Sequence, residues 1–121
     1  PCMAFMNGEI HNFGYNPEAG DYGNVLITEH EISGSKIWAL YGHLDSKSLI
    51  GKSKGQSVTK GQTIGHFGNE SENGGWEPHL HFQLSIIEPE THDLPGVVSI
   101  QDSAIALKLY PDPRLVLGPI Y

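Results

Sequence analysis

The sequence is poor in cysteine, in positive charge and in long apolar runs. One cysteine, Cys2, in 121 residues excludes an internal disulfide framework and a zinc site built from several thiolates. Seven Lys and Arg against fourteen Asp and Glu leave a formal charge of −7. That balance repels phosphate backbones and argues against nucleic acid as a partner. No apolar stretch approaches the length needed to span a bilayer, so a membrane partner is not expected. The first residues, Pro1 to Phe5, show neither an initiator Met nor the basic and apolar regions of a leader peptide. Pro1 therefore reads as a cut end, and part of any chemistry is expected upstream of it.

What is abundant is glycine (15) and proline (8), against a hydrophobic fraction of 38%. That composition and length predict one turn-rich, all-β domain over residues 1–121, an antiparallel sheet with a few short helical turns. Ala4 to Phe13 alternates weakly around Asn7-Gly8, which reads as a hairpin turn, and Gly14 to Gly20 reads as a loop. Asn24 to Ile32 and Lys36 to Leu44 read as a hairpin joined by Ser33-Gly34-Ser35. Pro78 to Ile87 alternates strictly, with His79, His81 and Gln83 on one side and Leu80, Phe82 and Leu84 on the other. Ser103 to Leu109 reads as a short helical turn, with a strand as the alternative. From about residue 88 to 121 the chain reads as an exit segment toward a following domain. Gly55-Gln56-Ser57-Val58 is echoed six residues later by Gly61-Gln62-Thr63-Ile64, which predicts two tight turns feeding short strands of a barrel-sandwich kind.

Seven histidines are a surplus. In a strand, residues two apart project from one face, so His79 and His81 are expected side by side. Neutral imidazole is a common zinc ligand. Tyr41-Gly42-His43-Leu44 ends another predicted strand, so His43 is expected to join the pair. His11, His30, His66 and His92 read as surface groups or as supports for other residues, and Asp45 as a turn carboxylate. Trp38 reads as core packing, Trp76 as a candidate lining of a substrate groove, and Cys2 as a small buried hydrophobe.

Gly55-Gln56-x-Val58, Gly61-Gln62-x-Ile64-Gly65, Tyr41-Gly42-His43-Leu44 and Pro78-His79-Leu80-His81-Phe82 together resemble the lysostaphin-type zinc metallopeptidases. The resemblance implies a small antiparallel fold of the duplicated hybrid motif type and cleavage of peptide bonds in peptidoglycan. Carried over by position, it makes His81 a zinc ligand and His43 and His79 the unliganded catalytic histidines. The family's other two ligands lie in a His-x-x-x-Asp motif that residues 1–121 do not contain; they are expected upstream of Pro1. Zinc is thus expected in an intact parent, and neither tight zinc nor peptidase activity in these 121 residues alone.

A narrower resemblance, carried by residues 72–84 and by the Tyr110-Pro111-Asp112-Pro113 exit, is to the peptidase-like middle domain of a bacterial fusion between a small-molecule phosphotransferase and a class III aminotransferase. It implies a cytoplasmic parent, neighbouring domains of the same chain as partners and pyridoxal phosphate only in one of those neighbours. Without it, a periplasmic or secreted hydrolase is implied. The competing reading is a binding or spacer module without catalysis.

Overall fold

The computed structural model describes residues 1–17 and 21–93. Among the described residues seven strands run in the order β1 (Cys2–Met3), β2 (Gly8–Asn16), β3 (Gly23–Ile32), β4 (Ser35–Leu44), β5 (Ser57–Val58), β6 (Thr63–Gly65) and β7 (His81–Ser85), with a 3-10 turn at Ser46–Leu49 between β4 and β5. All pairings are antiparallel. One sheet has the order β5-β2-β3-β4-β7 and a smaller one pairs β1 with β6, without closing a barrel.

The β3–β4 hairpin is the frame. Its turn carries Ser33 and Gly34 with φ of 51° and 81°. Positive φ at both central positions is what a two-residue hairpin needs to match the twist of its strands. Leu26, Thr28 and His30 face the small sheet, and Val25 and Ile27 face the other way; all five are buried. The main core joins Ile10, Leu26, Ala39, Tyr41, Val58 and Leu84 of the large sheet to Cys2, Ala4 and Ile64. On the opposite face Tyr22, Val25, Ile27, Trp38 and Leu40 form a second cluster. Burial of Cys2 pushes its thiol up to about 11, so it behaves as a packing group.

The six-residue echo folds as two copies of one device. Gly55 and Gly61 adopt φ of 85° and 82°. In each copy the glutamine that follows accepts through Oε1 from a backbone N–H three residues back, Ser53 for Gln56 and Thr59 for Gln62. The chain is thereby turned into β5 and into β6.

Four expectations need correction. Asn7-Gly8 is not a hairpin turn, because β1 pairs with β6 and β2 begins at Gly8. Asn7 is instead pinned from two sides: its carbonyl accepts from His30 and its side chain from the Lys60 N–H. A Cβ on Gly8 would collide with the Glu29 carbonyl, so glycine serves close strand approach here rather than turning. The expected loop from Gly14 begins later, since Gly14, Tyr15 and Asn16 pair with Val25, Asn24 and Gly23. The last strand is shorter than residues 78–87, and His79 lies just before it. Of the two alternatives for His30 the surface one falls: it is 2% exposed and bonded to Thr28 and Asn7, because both faces of β3 are covered. The helical turn expected at 103–109 lies outside the described residues. Of the expected exit segment, residues 88–93 lie along β2, where Pro89 and His92 carbonyls meet His11 and Asn16.

Candidate active site

The site grows from an irregularity in β4. Asn24 pairs with Leu44 and Leu26 with Tyr41, so Val25 faces two residues, Gly42 and His43. Such a bulge re-aims a side chain at the end of a strand. His43 takes φ of 64°, a left-handed value that a non-glycine residue holds only where its surroundings fix it. Those surroundings are specific. The His43 N–H donates to the Tyr22 carbonyl at 2.7 Å, and the His43 carbonyl accepts from the Gly68 N–H at 2.8 Å.

The ring is held as firmly as the backbone. His43 Nδ1 donates to the Asn73 carbonyl at 2.7 Å, which leaves Nε2 as the lone-pair nitrogen. Burial lowers its pKa, and proximity to His79 and His81 acts in the same direction, against the raising effect of the Asn73 bond. His79 repeats the arrangement: Nδ1 donates to the Glu77 carbonyl at 2.6 Å, and Nε2 is again the acceptor. The His43 and His79 ring centroids are 4.3 Å apart and the planes tilt by 35°.

His81 stands opposite Gly42 in the β4–β7 register. Its ring is 6.0 Å from that of His43. Nε2 donates to Gln83 Oε1 at 3.1 Å, so Nδ1 carries the lone pair. Tyr22 packs on it with centroids 4.5 Å apart. Burial first, then the charges of Asp93 and Asp21, push the Tyr22 phenol up to about 12, so it stays protonated. Trp76, 47% exposed, closes one side at 6.1 Å from both His43 and His79. All four residues expected from the sequence, His43, His79, His81 and Trp76, thus come together.

Two residues that sequence reasoning missed hold the site. Asn73 is completely buried; its amide donates to the Gly68 and Trp76 carbonyls and its Oδ1 accepts from the Trp76 N–H. Asn24 donates to the Leu44 and Glu72 carbonyls. An asparagine before Gly74-Gly75 reads from sequence only as a turn residue. A strongly buried asparagine in a glycine-rich loop is nevertheless a sign that the loop has one fixed shape. Beside the bulge, Asp45, Ser46, Lys47, Phe67, Asn69 and Glu72 line a cleft of about 270 Å³. Asp45 also caps the 3-10 turn, as its reading as a turn carboxylate anticipates.

A family model, that of Peptidase family M23, matches residues 1–93, more than three quarters of the chain. The chain belongs to peptidase family M23. No curated protein and no solved structure matches it. The fusion context expected from residues 72–84 has no support in the M23 match. As for zinc, the donor chemistry of an M23 peptidase fits in part. His81 Nδ1 is a free imidazole nitrogen, the type zinc takes. A catalytic zinc site needs three protein ligands, however, and the described residues around His81 do not bring three ligand atoms to one point. Among the described residues the one set of three with ligand atoms within 4.8 Å of one another is His11, Glu29 and Glu88, none of which belongs to this cluster.

Proposed function

We propose that this M23 domain is built for zinc-dependent hydrolysis of peptide bonds of the peptidoglycan type, with His43 and His79 handling protons and His81 as one metal ligand. The observation that carries the reading is the matched tautomer of two adjacent imidazoles. Both donate Nδ1 to a backbone carbonyl, so both hold a basic Nε2, on rings 4.3 Å apart. Burial first, and then the neighbouring His79 ring, act to keep His43 neutral and its Nε2 available as a base. That suits a hydrolysis in which water gives up a proton to one ring as its oxygen joins the carbonyl carbon. The C–N bond then breaks and the proton passes to the leaving nitrogen. Zinc, when bound, supplies charge that polarises a carbonyl and acidifies water. His81 is the part of that site these residues provide; two further ligands would come from chain outside these 121 residues.

Trp76, beside His43 and His79, gives the substrate an aromatic wall, and a polar cleft lined by Asp45, Lys47 and Glu72 lies beyond the β4 bulge. The second reading, a binding or spacer module, rests on the single metal ligand and the net charge of −7. Metal analysis of the longer protein encoding this domain separates the two. The hydrolase reading expects one zinc per molecule, lost on His81→Ala and kept on His43→Ala and His79→Ala. Zinc content unchanged by His81→Ala removes that residue from the metal site. A zinc-free longer protein supports the binding module.

A further inference from the structure

The strand that carries His81 also carries a group able to orient it. Side chains two apart on a strand share a face, so Gln83 stands beside His81 on β7. His81 lies opposite Gly42 and Gln83 opposite Leu40, on the side of the sheet that holds the Tyr22 and Leu40 cluster. Glycine at 42 lets that side close up: a Cβ there would press on Tyr22 Cβ at 3.3 Å and on His81 Cβ at 3.4 Å.

An amide side chain can meet an imidazole in two ways. Through its oxygen it accepts, and the ring nitrogen it meets must carry a hydrogen. Through its NH2 it donates, and the same nitrogen must offer a lone pair. The orientation of Gln83 therefore decides which nitrogen of His81 can bind a cation. Two donors converge on the oxygen. His81 Nε2 lies 3.1 Å from Oε1, and the Tyr22 hydroxyl donates to the same atom at 3.4 Å. An amide oxygen has two lone pairs and takes both. Tyr22 keeps its hydrogen, because burial and the charges of Asp93 and Asp21 push the phenol up to about 12. The bond from His81 Nε2 holds whether the ring is neutral or charged, and in the neutral ring it leaves the lone pair to Nδ1. Tyr22 also packs on the ring at 4.5 Å with a tilt of 41°, which restricts its rotation.

We infer that Gln83 is a positioning residue for His81: its amide oxygen holds the hydrogen on Nε2 and so presents Nδ1 as the metal-binding nitrogen. The metal half of this statement rests on the hydrolase reading; the tautomer half does not. The partner of a metal-bound histidine is often a carboxylate, which makes the ring a stronger donor. A neutral amide orients the ring without that gain, which leaves a bound metal the more acidic.

The test has two arms. In the metal-free 121-residue chain, well above the imidazole pKa of about 6.5, ring nitrogen chemical shifts report the His81 tautomer. Wild type should show hydrogen on Nε2 alone, Gln83→Leu a mixture of both tautomers, and Gln83→Glu the wild-type pattern again. Circular dichroism checks that the variants fold. In protein containing this domain with zinc supplied, Gln83→Leu should weaken zinc binding by a factor of about 10 to 100, and Gln83→Glu should bind at least as tightly as wild type. Hydrogen on Nδ1 in wild type, or a Gln83→Leu tautomer identical with wild type, overturns the positioning role. So does an unchanged zinc affinity of Gln83→Leu where His81→Ala loses the metal. If His81→Ala keeps its zinc, the ligand assignment of the hydrolase reading fails instead, and the tautomer arm alone decides the role of Gln83.

Discussion

Replacing Asn73 by alanine should loosen the candidate active site without touching any histidine. The side chain is fully buried and makes three hydrogen bonds, to the Gly68 carbonyl at 3.1 Å and to the Trp76 carbonyl and N–H at 2.7 and 2.9 Å. A buried hydrogen bond contributes about 1 kcal/mol net, and an orphaned partner costs more, so the expected loss is about 2–4 kcal/mol. The bond from His43 Nδ1 runs to the main-chain carbonyl of Asn73, which alanine also has. It should nevertheless weaken, because the side chain is what fixes the loop from Gly68 to Trp76 against β4. Urea unfolding measures the stability, and nitrogen chemical shifts of the His43 ring report its tautomer. Wild type should show hydrogen on Nδ1; the variant should show a mixture of both tautomers. A stability change below about 0.5 kcal/mol together with an unmixed tautomer would refute the idea that Asn73 organises this site.

Stability should also depend on pH through two buried histidines. Burial lowers the pKa of both His30 and His43, so the unfolded chain binds protons more readily than the folded one. Their stability is intact above the unfolded value of about 6.5 and is lost as pH falls through the folded values; thermal melts from pH 8 to 5 should show it, and His30→Gln should flatten the slope. Gly74→Ala should cost more than about 2 kcal/mol in urea unfolding, because φ is 93° there and a Cβ would collide with the Asp21 carbonyl. Trp76→Ala should leave stability within about 0.5 kcal/mol, since the ring is half exposed, while weakening binding of a peptidoglycan-derived peptide measured by calorimetry.

The parts of the fold with local signals were legible. Ser33-Gly34 between two alternating runs specified the β3–β4 hairpin, and the glycine-glutamine echo specified two turns of one kind. The clustering of His43, His79 and His81 followed from strand-end positions, although His79 precedes its strand. What escaped were effects of long-range pairing. Gly8 looked like a turn residue because close approach to Glu29 is invisible without β3 in place. For His30 the choice between a surface group and a supporting one stayed open, because its polar run of Thr28 and His30 gives no hint of a second sheet above it. The β4 bulge does not show in the sequence. A one-residue slip at His43 depends on the partner strand, yet it decides where the imidazole points.

The central claim is that His43 and His79 move the proton in a hydrolysis. The most direct measurement is the rate of cleavage of a peptidoglycan-derived peptide by protein containing this domain with zinc supplied, compared with its His79→Ala variant at equal zinc content. His79 is the better choice because it is only half-buried and its loss spares the buried bonds that hold β4. Removing a positioned acid–base group typically costs a factor of about 10² to 10⁴, and the variant should fall in that range with zinc and melting temperature unchanged. Cleavage by the His79→Ala protein at the wild-type rate would contradict the account.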